Sequence, residues 1–172
     1  MYLIFATSLR PGSHAKIMAN VLLNNLKEKN QEAELIDLAE LKLPICDGDK
    51  CYDHKNVIAL KKKVSNAKGI IIASPIYNYD VNAAAKNLIE LAGKSLFDKV
   101  VGFICAAGGN RSYMSIMNLA NDLMLDFRCV IIPKFVYASD EAFTGDEVSD
   151  EQVSERLQEL TDSLIKFSKA LN

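Results

Sequence analysis

Five short apolar runs, separated by amphipathic stretches, leave this chain few folds to choose from. Two of the runs, Gly69-Ile70-Ile71-Ile72-Ala73 and Val100-Val101-Gly102-Phe103-Ile104-Cys105-Ala106, contain no charged or amide side chain. A strand is apolar on both faces only where both faces of its sheet are covered, as they are inside a parallel sheet. Tyr2–Ala6, Glu34–Leu38 and 128–132 supply the other three strands. Between them lie helical patterns over 13–29, from Val57 to near Ala67, over 83–93 and over 112–126. A final helix carries Val153, Leu157, Leu160, Leu164 and Phe167 on one stripe. The alternation predicts an α/β, doubly wound, five-stranded parallel sheet in strand order 2-1-3-4-5, with helices on both faces. Residues 1–172 read as a single domain, with no linker, repeat or low-complexity tract.

In such a sheet ligands bind beyond the carboxyl ends of the strands, where strand order reverses. The loops after strands one, three and four converge there, and they are the unusual loops of this chain: Ser8–Ser13, Ser74–Asn82 and Ala107–Ser112. The first, Ser8-Leu9-Arg10-Pro11-Gly12-Ser13, joins a strand to a helix whose first amides and dipole favour an anion. Its hydroxyls and the Arg10 fork suit phosphate oxygens, Gly12 permits a tight turn, and Lys16 follows one turn into the helix. Ser13 also suits a plain helix cap, and His14 suits either the phosphate or an open surface position.

Twenty basic residues are offset by twenty-two acidic ones, a net charge of −2, which gives nucleic acid and membrane surfaces no footing. No run approaches the ~20 apolar residues of a membrane span, and no leader precedes the first strand, so a cytoplasmic protein is expected. Cys46 and Cys51, with His54 nearby, invite a metal reading. Two thiols are too few for zinc or an iron–sulfur centre, however, so ordinary loop cysteines are expected and no metal. Cys105 and Cys129 fall on strands and read as core thiols.

Ser74-Pro75-Ile76-Tyr77-Asn78, followed by Ala85-Lys86-Asn87, resembles the motif of the NADPH-dependent FMN reductase family of flavodoxin-like proteins. That motif runs Ser-Pro-x-Tyr-Asn, commonly a Pro-Gly pair, then Leu-Lys-Asn. Ser8, Leu9, Arg10 and Ser13 match the family's first-loop pattern, and Gly108-Gly109 its third. The resemblance implies that Ser8, Arg10, Ser13 and His14 take the FMN phosphate. It sets Pro75, Ile76, Tyr77 and Asn78 beside the isoalloxazine. Ala107, Gly108, Gly109 and Ser112 fall at its pyrimidine edge, where backbone amides meet charge gathered on reduction. It further implies NADPH or NADH as co-substrate, with hydride entering and leaving at flavin N5 and no catalytic side chain. The acceptor is a small molecule: a quinone, azo dye, metal ion or free flavin. A homodimer or homotetramer follows as well, and small residues in helix 83–93 suit either close helix approach or plain packing on the sheet.

Three departures stand out. Asn82-Ala83 replaces the usual Pro-Gly, Ile76 replaces a commoner acidic residue, and Ala85 replaces Leu. Arg111 suits a cofactor phosphate or a solvated helix start. The rival reading is a flavodoxin-type electron carrier without its own substrate, against which Arg10 and the near-neutral charge count. A phospho-receiver would need clustered acids at strand ends that here carry Ser8, Ser74 and Ala106.

Overall fold

In the computed structural model, which describes residues 1–171, the first strand is an interior one. β1 (Tyr2–Ala6) pairs on one side with β2 (Ala33–Asp37), Tyr2 opposite Ala33, and on the other with β3 (Ile70–Tyr77), Leu3 opposite Ile70. β5 (Val100–Ala107) lies beside β3, and β4 (Asp80–Val81) turns back on β3 as a short hairpin. All pairings in the main sheet except that hairpin are parallel. The helices α1 (His14–Glu28), α2 (Lys55–Asn66), α3 (Ala83–Ala92), α4 (Met117–Phe127) and α5 (Glu151–Leu171) make the crossovers and the close of the chain.

The flavodoxin-like order 2-1-3-4-5 therefore stands, with one correction at its edge. The fifth position is shared by two short strands, β6 (Val130–Ile131) beside Val100-Val101 and β7 (Val136–Ser139) beside Ile104–Ala107. Pro133 has no N–H to give the ladder, and Lys134 sits at φ 59°, so the chain jogs outward and re-enters two residues later. The stretch 133–149, between the fifth strand position and the last helix, thus contains β7 and a small hairpin of β8 (Phe143–Thr144) and β9 (Glu147–Val148).

Two further boundaries differ. The Ser74–Asn82 loop is mostly ordered, because β3 runs on through Tyr77, past the last β1 pair at Ala6 and Ala73. Pro75 falls in this extension, where β3 has lost β1 as a neighbour and a proline is tolerated. The predicted helix 112–126 is a tight 3₁₀ segment over Asn110–Ile116, becoming α-helical only at Met117. The Tyr137 hydroxyl holds both ends of the tight turn, at the Gly109 carbonyl and the Ser112 hydroxyl.

Alternation along each strand sends side chains to two cores. Leu3, Phe5, Ile70, Ile72, Val101 and Phe103 meet α2, α3 and α4, while Tyr2, Ile4, Ile71 and Ile104 meet α1 and α5. Gly102 is required where α5 crosses β5: a methyl group there would stand 2.8 Å from Ile71 Cδ1 and 2.9 Å from Leu160 Cδ1. Ala85 and Ala92 of α3 are buried within the fold, and Ala83 alone of its alanines is exposed.

Candidate functional site

At the carboxyl ends of β1, β3 and β5 the three loops enclose a cleft of about 180 Å³. Ser8, Arg10, Ser13 and His14 line it from the first loop, Pro75, Ile76 and Tyr77 from the second, and Ala107 and Gly108 from the third. Of the residues expected at the site, Asn78, Gly109 and Ser112 are not on its wall. Asn78 lies in the hairpin turn, and Gly109 and Ser112 are engaged by Tyr137.

The first loop is built to leave polar groups unspent. Gly12 turns at φ 65°, and Ser13 is extended at the start of α1 yet makes no side-chain cap hydrogen bond. Ser13, little exposed as a residue, lines the cleft beside the unpaired first-turn amides, and no acidic residue sits in that turn. The capping role that Ser13 suited is not taken up. Ser8 Oγ accepts the Arg10 N–H at 3.2 Å and shapes the turn, while the Arg10 side chain extends into solvent at the rim. Lys16 does not join this group. Its ammonium donates to Asp37 Oδ2 at 2.5 Å, a bond that raises the Lys16 pKa and ties α1 to the end of β2.

Asp140 is a cleft residue that sequence reasoning missed. His14 Nδ1 and Asp140 Oδ1 lie 3.1 Å apart, and the His14 ring stacks on Phe143 with centroids 3.9 Å apart and planes within 5°. β7 places this acid: Ser139 pairs with Ala107, so the next residue emerges at the same strand end. Recognising Val136-Tyr137-Ala138-Ser139 as a strand would have exposed Asp140.

The second loop is fastened from behind. Thr7 Oγ1 donates to Asn82 Oδ1 at 2.7 Å, and Asn82 Nδ2 donates to the Thr7 carbonyl at 2.7 Å. Ser74 Oγ lies 3.1 Å from the same Oδ1. All three side chains are buried. Asn82, noted above only as a departure from Pro-Gly, is the latch between the first and second loops. Beyond it, Tyr77 and Asp80 flank a two-residue turn in which Asn78 and Tyr79 have φ 52° and 63°, the type I′ pattern of tight hairpins. Tyr77 is 51 % exposed, so one face of the cleft mouth carries an open aromatic ring.

The Lys-Asn pair of the motif works outside the cleft. Lys86 pairs with Asp122 of α4 at 2.7 Å, which raises the Lys86 pKa. Asn87 accepts the Cys46 N–H at 2.8 Å and donates to the Pro44 carbonyl at 2.9 Å, anchoring the loop after β2 to α3. His54 caps α2 by accepting the Asn56 N–H, and Arg111 is exposed and outside the cleft lining.

The cleft's lining fits a flavin mononucleotide. A serine hydroxyl that caps nothing and bare helix amides suit the phosphate. At Gly109 a Cβ would meet nothing within 4 Å, and at Gly108 only Asp140 Oδ2 at 3.8 Å, so backbone in the third loop can be approached closely. The enclosed volume is below the ~300 Å³ of common small-molecule pockets, so a flavin mononucleotide would be only partly enclosed here.

An open parallel sheet with an anion-ready helix start at its switch point defines a flavodoxin-like nucleotide-binding domain. The chain belongs to the NADPH-dependent FMN reductase family, whose model matches residues 2–144. An NAD(P)H-dependent FAD/FMN reductase of Geobacillus thermodenitrificans (strain NG80-2) is 33% identical over 135 residues, covering 75% of this chain and 71% of the relative. An NAD(P)H:quinone oxidoreductase of Solanum tuberosum is 27% identical over 164 residues, covering 88% and 84%. Among solved structures, the flavoenzyme NAD(P)H:(acceptor) oxidoreductase FerB from Paracoccus denitrificans superposes with a TM-score of 0.82 at 23% identity, covering 99% of this chain and 97% of that one. An archaeal flavodoxin gives a TM-score of 0.65 at 13% identity, covering 98% and 97%. These two likenesses bear on the fold.

Proposed function

We propose that the protein is an NAD(P)H-dependent FMN oxidoreductase serving a small-molecule acceptor such as a quinone, azo compound, metal ion or free flavin. The observation that carries this reading is the convergence of three loops on one cleft in a chain of the FMN reductase family. Bound FMN would supply the hydride relay, taking hydride from the nicotinamide at N5 and passing it on. The chain's own work is binding and orientation. Ser8, Ser13, the α1 amides and Arg10 hold the phosphate, with His14 steadied beside them by Asp140 and Phe143. Pro75, Ile76 and Tyr77 form an apolar wall for the ring, extended by Asn78 at the hairpin turn. Backbone amides at Ala107 and Gly108 would serve the pyrimidine edge, and Gly109 and Ser112, off the cleft wall, are held in place behind them by Tyr137. No side chain is assigned a general acid or base role.

NADPH and NADH both suit this site. We place the protein in the cytoplasm as a homodimer or homotetramer. Four free cysteines fit a reducing compartment, and no helix among the described residues is long and apolar enough to cross a membrane. The open mouth beside Tyr77 favours an enzyme over a carrier, since a carrier needs no room for a second substrate.

The test is direct. Purified protein should bind FMN more tightly than riboflavin, and NAD(P)H should bleach the bound flavin anaerobically and drive steady turnover of quinone or ferricyanide. Equal affinity for riboflavin would remove the phosphate assignment. Bleaching by dithionite alone, without turnover, would make the protein a carrier.

A further inference from the structure

The loop between β2 and α2 holds chemistry that the cleft does not use. Cys46 Sγ and Cys51 Sγ lie 3.9 Å apart, and both cysteines are free thiols. Cys46 is half-buried and borders a second cleft, of about 540 Å³, between this loop, α3 and α4. Cys51 is buried.

Backbone contacts hold the two sulfurs together. Asp47 Oδ1 accepts the N–H of Asp49 at 2.9 Å and of Cys51 at 3.0 Å. Gly48 turns at φ 75°, and the 3₁₀ turn Lys50–Asp53 brings Cys51 back toward Cys46. On the other side the Cys46 N–H is fixed to Asn87 Oδ1 of α3. A disulfide needs about 2.05 Å between sulfurs. From 3.9 Å the remaining gap is roughly 1.9 Å, a distance that side-chain rotation and a small loop shift span. The other cysteines are built differently. Cys105 is enclosed in β5, where burial pushes its thiol up to about 12, and Cys129 donates to the Leu96 carbonyl at 3.3 Å, its thiol pushed up to about 11 by burial.

We propose that Cys46 and Cys51 form a redox-active dithiol that closes to a disulfide by exchange with a small-molecule disulfide of the glutathione type. Cys46, the more exposed sulfur, attacks first as the thiolate. A bond forms between Cys46 Sγ and one glutathione sulfur, and the other leaves as a thiolate. Cys51 Sγ then attacks Cys46 Sγ and expels the second glutathione thiolate. The protein loses two thiol hydrogens and two electrons, and one glutathione disulfide becomes two glutathione thiols. Burial, with the Asp47 carboxylate beside it, raises the Cys51 thiol pKa, which suits the second, resolving role. Asn87 also donates to the Pro44 carbonyl, so closure is felt at α3, the helix that starts at the Asn82 latch.

Full-length protein treated with excess oxidised glutathione, then unfolded in an alkylating reagent and weighed intact, tests the assignment. The expected result is a loss of two hydrogens, a fall from four alkylated thiols to two, a cross-link mapped to Cys46 and Cys51, and full reversal by dithiothreitol. Four alkylated thiols, a lasting glutathione adduct on Cys46, or a cross-link through Cys105 or Cys129 would overturn the proposal. Cys51→Ser should trap the glutathione adduct on Cys46, and Cys46→Ser should take up none. An adduct on Cys51 in the latter would overturn the order of attack. The measurement on the unaltered protein decides the proposal even where a variant fails to fold.

Discussion

Thr7 and Asn82, 75 residues apart in sequence, exchange two hydrogen bonds of 2.7 Å, one in each direction. Thr7 is the residue after β1 and Asn82 the residue before α3, so this one pair ties the first loop of the cleft to the loop that carries Pro75 and Tyr77. Both are buried, and an amide side chain can serve here because it offers a donor and an acceptor at once.

Asn82→Ala leaves the buried Thr7 carbonyl without that donor and should cost about 1–3 kcal/mol of stability, the desolvation penalty of an unpaired buried group. Asn82→Asp should cost more, because it sets a carboxylate oxygen against the Thr7 carbonyl. Urea unfolding of the three proteins checks the ranking. Equal midpoints would mean that the latch contributes nothing.

Tyr79 holds φ 63° at a turn position where glycine is at ease. The left-handed region costs an L-residue roughly 1–2 kcal/mol, and glycine gives back about 0.5–1 of that in chain entropy. Tyr79→Gly should therefore stabilise by up to about 1 kcal/mol, seen as a thermal midpoint raised by about 2–4 °C. A lowered midpoint would show that the exposed ring makes a contact worth more than the strain.

Acid should loosen the dithiol loop first at Asp47. The Asp49 amide, followed by contacts from Cys51, holds its carboxyl at about 2, below the ordinary 3.8. A carboxyl lowered by folding stabilises the fold fully above about pH 4, and that stabilisation drains away as pH falls toward 2. NMR shifts of the Asp49 and Cys51 amide protons should titrate with a midpoint near 2, and Asp47→Asn should abolish the transition. A midpoint near 4 would mean that the turn exists without Asp47's help.

The sheet and the cleft were legible because two signals agreed. Unbroken apolar runs demanded covered strands, and the loops after β1, β3 and β5 held the residues unusual for simple turns. Asp140 was not legible, because Pro133 and Lys134 interrupt the fifth strand and disguise Val136–Ser139 as loop. Asn82 was visible only as a departure from Pro-Gly, since its partners Thr7 and Ser74 belong to other segments. Lys16 was misplaced for the same reason: helical spacing puts it one turn from the loop, but Asp37, at the end of β2, claims it. Ser112 read as the start of a regular helix, and only the fold reveals Tyr137 bending that segment tight.

Arg10 offers the sharpest measure of the proposed phosphate site. Its backbone is set by the Ser8 hydroxyl, and its side chain stands at the cleft rim with no acidic partner among the described residues. Its guanidinium is thus available for a phosphate fork without first breaking an ion pair. Arg10→Ala should weaken FMN by about 1.5–3 kcal/mol, roughly 10- to 150-fold in Kd, and leave riboflavin unchanged. Arg10→Lys keeps the charge but not the fork, and should recover part of the loss. Fluorescence titration of the two flavins separates the cases. A variant that loses both ligands equally would place Arg10 in the scaffold of the loop and take the phosphate away from it.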